Sequence, residues 1–243
     1  MSTIKRASTR YRTTRPNIPL TVERKSVEAR IDDHLIIQLR IFEQTDLEHA
    51  HRLRAQVAVM ANTSTGVTDA TLEVTQNWMN RFLAPNDKVT FNFMIWAKQD
   101  NAPWEHVGVI GSHMLTPVPR IGYMLRTEWW GKSITTRAVQ TFLSLWWTLE
   151  RKVVEIDLND AQHEHDFHLI RLEYDQDEQL VPTYTGQCRD VKTVSEILIA
   201  EIEERNIGSI RVVQRSGFQY RAQETIFENT KTFILHDYTI ARP

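Results

Sequence analysis

Three short apolar runs, FNFMIWAK (91–98), HVGVIGSHML (106–115) and RIGYML (120–125), follow one another with only Asn101-Ala102-Pro103 and Thr116-Pro117-Val118-Pro119 marking the gaps. Branched and aromatic residues fill the runs and Pro and Asn punctuate them, so each reads as a strand. Connections this short cannot hold a parallel crossover, which needs about a dozen residues or more, and they predict an antiparallel meander. The hydrophobic period then changes. In 134–149, Ala138, Phe142, Leu145 and Leu149 recur at spacings of four, three and four, as in an amphipathic helix laid on that sheet.

The flanks extend the same plan. LIIQLRIF (35–42) reads as a strand, and Thr45-Asp46-Leu47-Glu48 has capping-box spacing for a helix start. Leu72, Thr75, Met79 and Phe82 predict a second helix over 70–83, stopped by Pro85 and Asn86, with ANTSTGVTD as a polar loop before it. Downstream the pattern predicts a strand at 194–202, a short helix after Asn206 that stops at Gly217, and a final hairpin turning at 229–231. The fold class is α/β in the mixed, α+β sense: a mostly antiparallel sheet flanked by helices.

Two segments stand apart. The first 22 residues carry five Lys/Arg, seven Ser/Thr and no acid, so residues 1–34 are read as a basic polar arm whose composition also suits a mitochondrial presequence. Residues 155–178 hold nine Asp/Glu against one Arg, and 155–190 is read as an acidic insertion with a hairpin of HLIRLEY and LVPTY. Within it, His163, Glu164, His165, Asp166 and His168 alternate imidazole and carboxylate. The preferred reading is a solvated acidic loop, with no metal. As a lip over a substrate groove, such acidity would favour a cationic amine.

Composition sets the outer bounds. With 243 residues, 41% hydrophobic and 25% charged, the chain suits one large domain, 35–243. A formal net charge of −2 offers no global attraction to nucleic acid, and no apolar run reaches the roughly 18 residues of a membrane span. The one cysteine, Cys188, excludes an internal disulfide, so a cytoplasmic location is expected. Trp129-Trp130 and Trp146-Trp147 cannot share one face, so one of each pair is assigned to the core.

The chemistry gathers at EWWGKSITTRA (128–138), between a strand and a helix. First-turn amides of a helix have no intrahelical partner and the dipole is positive there, so Gly131, Lys132, Ser133 and Ile134 are placed to hold a phosphate. Taken in order, IGYML, WWGKSITTRA, an apolar helix, ILIAEIEERNIGS and VVQRSGF resemble the GCN5-related N-acetyltransferase (GNAT) superfamily, in its branch of ribosomal-protein N-terminal acetyltransferases of the Rim type.

The resemblance implies acetyl-CoA as cosubstrate. The splayed strand ending at Met124 and Leu125 would pair with the pantetheine arm, amides of Trp130–Ile134 would hold the pyrophosphate, and Asn206 and Ser209 would face the thioester end. It also implies acetyl transfer to a primary amine, on a small molecule or a peptide N-terminus. His113, Glu201 and Asn206 are the catalytic candidates, because Val213 stands where many relatives carry a tyrosine acid. Three residues depart from the pattern: Glu128 and Ser133 open and close the phosphate loop, and Arg137 replaces a glutamate. They keep an alternative open, a protein with this fold that binds or modifies metabolites without acyl transfer.

Overall fold

The computed structural model describes residues 10–19, 24–157, 169, 191–228 and 231–243. Its main body is an eight-stranded sheet in the order β10-β11-β9-β6-β5-β4-β3-β2. The strands are β2 (Val27–Arg30), β3 (Leu35–Ile41), β4 (Phe91–Gln99), β5 (Glu105–Met114), β6 (Arg120–Leu125), β9 (Ile197–Glu203), β10 (Gln219–Glu228) and β11 (Lys231–Ala241). All neighbours are antiparallel except β6 and β9. The expected meander is therefore β4-β5-β6.

Helices cover both faces. β4 is buried on both sides because its alternation splits between two clusters. Phe93 and Ile95 pack with Phe142 and Trp146 of helix α4 (Ile134–Thr148), whereas Met94 packs with Leu53 and Met79 of α1 (Leu47–Arg54) and α3 (Leu72–Met79). The core face of α4 runs through Ala138, Phe142 and Trp146, with Leu145 and Leu149 only partly buried; the stacked Phe142 and Trp146 rings are larger and claim that line. Arg151 closes this helix, donating to the carbonyls of Trp146 (2.8 Å) and Leu149.

Several boundaries differ from the sequence reading. The capping box at the first helix is made by Glu43 and Asp46, whose carboxylate accepts the Glu43 N–H at 2.8 Å, and not by Thr45 and Glu48. A one-turn helix, α2 (Val57–Met60), precedes the polar loop. Part of the presumed basic arm is structured: β1 (Arg10–Pro16) is the central strand of a second sheet, between β7 (Arg151–Asp157) and β8 (Val191–Thr193), and β2 edges the main sheet. Helix α5 (Ile207–Arg215) ends at Gly217, whose φ of +92° suits a residue without a Cβ. Cys188, the His163–His168 cluster and the inserted hairpin lie outside the described residues. No helix among those described is long and apolar enough to cross a membrane.

Candidate active site

β6 and β9 are parallel neighbours that share a single paired position, Arg120 with Ile199, where the Ile199 N–H donates to the Pro119 carbonyl at 3.0 Å. Beyond it they part. Ile121–Leu125 and Ala200–Glu203 line opposite walls of a cleft of about 980 Å³. The β6 backbone facing this gap has lost its strand partner, so an extended amide-bearing ligand can pair with it. Tyr123 bridges the gap, its hydroxyl donating to the Ser209 carbonyl at 3.2 Å. Burial raises its pKa, which keeps the phenol protonated.

At one end the cleft meets the turn before α4. Gly131 has φ +77°, and a Cβ built there would meet nothing within 4 Å, so its backbone stands open to the cleft. Ser133, the N-cap, is left-handed at φ 60°, and its side chain makes no capping hydrogen bond. The first-turn amides of Ile134, Thr135 and Thr136 thus keep their donors for a ligand. Lys132 is held at the turn, its Nζ 4.3 Å from the Trp129 ring centroid. The Trp130 indole N–H donates to the Leu125 carbonyl at 2.7 Å, so that acceptor is already engaged. Trp129 is buried and Trp130 half-exposed; Trp146 is buried and Trp147 only partly so. Arg211 and Arg215 of α5 line the same end and supply further positive charge.

Glu128 does not turn its charge on this end. Its carboxylate accepts from Arg126 (2.7 Å) and Gln56 (2.9 Å), and it is absent from the cleft lining. The Arg126 hydrogen bond, with help from the backbone and Gln56, holds its pKa down to about 2. Arg126 is itself buried and also donates to Glu105 and to the His106 carbonyl. Arg137 is exposed and likewise does not line the cleft.

At the other end lies His113. The β5–β6 register slips between Ser112 and Met114, so His113 is the extra residue of a β-bulge, a feature that re-aims side chains. Its ring covers Gly122, where an added Cβ would lie 3.7 Å from both Cε1 and Nδ1. Although solvent reaches the ring, the groove walls desolvate it, and with Arg81 and Arg120 nearby they lower its pKa. Glu201 faces the same space but is ion-paired with Arg120 at 3.0 Å. Asn206 caps α5, accepting the Ser209 N–H at 3.1 Å, while also lining the cleft.

Several lining residues escaped the sequence reading. Tyr123 was visible within IGYML, since alternation sets it on the face of Ile121 and Leu125. Arg81, Trp78 and the 62–65 loop had no local signal. Residues 62–65 belong to the 61–69 loop, whose end is fixed by a buried ion pair between Arg54 and Asp69 (2.6 and 2.8 Å), and Asp69 also accepts from Thr75 at 2.8 Å. Among the described residues no cluster of His, Cys, Asp or Glu could hold a metal.

The fold recurs in solved acetyltransferases. A GNAT-family acetyltransferase from Bacillus anthracis matches at TM-score 0.53 and 19% identity, over 86% of this chain and 96% of that one. The Salmonella typhimurium enzyme that modifies the N-terminal serine of ribosomal protein L7/L12 matches at 0.53 and 14%, over 88% and 99%. Spermidine N-acetyltransferase from Vibrio cholerae, solved with CoA and spermine, matches at 0.54 and 11%, over 85% and 95%. A search of the curated proteins finds no match. Residues 37–219, about three-quarters of the chain, match the family model described as an acetyltransferase (GNAT) domain. The splayed strands and the open helix turn are thus set in a chain that belongs to the GNAT acetyltransferase family.

Proposed function

We propose that the cleft binds acetyl-CoA and presents its thioester to a primary amine entering beside His113. The observation that carries this reading is the alignment of three features in one cleft: the β6–β9 splay, the uncapped start of α4, and the bulged His113. Acetyl-CoA fits these residues. The backbone around Met124 takes the pantetheine arm, Trp130–Ile134 and Lys132 take the pyrophosphate, and Asn206 and Ser209 stand near the thioester. The bound thioester supplies an activated acetyl group.

His113 accepts a proton from the incoming ammonium, directly or through water, and its lowered pKa keeps it neutral and ready near pH 7. The free amine attacks the carbonyl carbon, the C–S bond breaks, and the thiolate leaves to take up a proton. Glu201, held by Arg120, helps fix the acceptor. A non-transferring protein is disfavoured because Glu128 and Arg137 stand clear of the cleft. The lone Cys188 suits a reducing compartment, for which the cytoplasm is our reading.

Calorimetric titration with acetyl-CoA, followed by thiol release with amine acceptors, tests the reading. Binding that is weakened by Lys132→Glu is expected; no heat and no thermal stabilisation at millimolar acetyl-CoA would refute it.

A further inference from the structure

The acceptor half of the cleft has an uneven charge balance. Arg54 is matched by Asp69, Arg120 by Glu201, and Arg205 by Glu203 at 3.2 Å. Arg81 lines the same cleft and has no carboxylate partner among the described residues. It is nevertheless anchored: its Nε–H donates to the Trp78 carbonyl at 3.4 Å, and its guanidinium lies 5.3 Å from the Phe82 ring centroid. One of five donors is used, which leaves the planar fork for a two-oxygen acceptor.

Arg81 and His113 line the same cleft, and the Arg81 charge, with Arg120, acts to lower the His113 pKa. Although solvent reaches Arg81, the cleft walls and the nearby Arg54 act against its charge, an imbalance that an anion would relieve. Ser64 and Thr65 line the cleft too, and their hydroxyls have no other partner among the described residues.

We infer that the acceptor is a primary amine that also carries an anionic group, a carboxylate or a phosphate, bound by Arg81 while the amine stands at His113. This inference rests on the transferase reading above. It opposes a polyamine acceptor, because a second cation would meet an unneutralised guanidinium.

The test compares kcat/KM for two matched pairs, β-alanine with β-alaninamide and O-phosphoethanolamine with ethanolamine, and for spermidine. The two pairs separate carboxylate from phosphate. One charge-assisted contact at a partly exposed site predicts a preference of about tenfold for the anionic member of at least one pair. In Arg81→Gln that ratio should collapse toward one, chiefly through KM. Calorimetric binding of acetyl-CoA to both proteins reports separately on the cofactor reading and on the variant's folding. Spermidine as the best acceptor, no turnover of either anionic amine, or a preference that survives Arg81→Gln would each overturn the inference, whereas loss of acetyl-CoA binding by the wild type would overturn the transferase reading itself.

Discussion

Ser133→Gly should make the protein more stable while leaving its cofactor turn intact. Ser133 sits at φ 60° and ψ 6°, where an L-residue's Cβ crowds the following carbonyl at a cost of about 1–2 kcal/mol. Serine at an N-cap normally compensates by accepting a first-turn N–H, but here the side chain makes no such bond. Removing it therefore forfeits no cap. Glycine's freer unfolded chain takes back roughly 0.5–1 kcal/mol, which leaves a net gain of about 0.5–1 kcal/mol. For a chain of this length that corresponds to a rise in Tm of about 1–4 °C. Ser133→Ala keeps the Cβ and should show no rise.

Differential scanning calorimetry of the three proteins gives the stability arm, and acetyl-CoA titration gives the functional arm. Because Gly131 and Ser133 present backbone to the cleft, affinity in Ser133→Gly should be equal or tighter. A Tm below wild type, or a tenfold loss of affinity, would show that the serine hydroxyl, and not the backbone, shapes the turn and meets the ligand.

Asp69→Ala strands the buried Arg54 guanidinium and should lower stability by about 3–5 kcal/mol in urea unfolding; a loss under about 1 kcal/mol would mean that the pair does not hold the 61–69 loop. Glu128 has a folded pKa of about 2, below its ordinary 4.5, so its contribution is complete above about pH 4.5 and vanishes as pH falls toward 2. Since the carboxylate is half-exposed, screening limits that contribution to under about 1 kcal/mol, and the small Tm gap to Glu128→Gln should close over the same window; a gap that stays constant from pH 7 to 3 contradicts it. If His113 is the base, its lowered pKa puts the acidic limb of kcat/KM below pH 6.5, and the limb should disappear in His113→Ala. A limb above pH 7 in wild type would exclude that role.

What was legible in the sequence is what depends on neighbours along the chain. The meander follows from short loops, the α4 turn from a glycine between strand and helix, and the Asn206 cap from its place before a helix. The rest was not legible, because a distant residue decides it. Glu128 opens the phosphate loop in sequence, yet its carboxylate is taken up by Gln56 from the α1–α2 junction and by Arg126. Leu145 packs against the core as its helical spacing predicts, but only at the edge, because Trp146 fills the space against Phe91 and Phe142. Arg81 carries no sequence signal, because its meaning comes from the carboxylates that its neighbours use up.

The N-terminal segment shows how far such a distant decision can reach. β1 has no apolar alternation to announce it, and it pairs with β7, a segment more than 130 residues away. Its effect falls on the root of β9. The Val194 N–H donates to the Arg12 carbonyl at 2.9 Å, and buried Glu196 accepts from Thr14 (2.8 Å) and Arg151 (2.7 Å). Tyr11 and Ile156 pack on Ile197 and Ile199 in a small separate cluster. These contacts end at Ile199, the one position where β9 still pairs with β6. The second sheet thus clamps β9 just before the cleft opens and holds the splay at a defined place. The segment that reads from composition as a loose basic arm becomes, in its described part, a brace for the site.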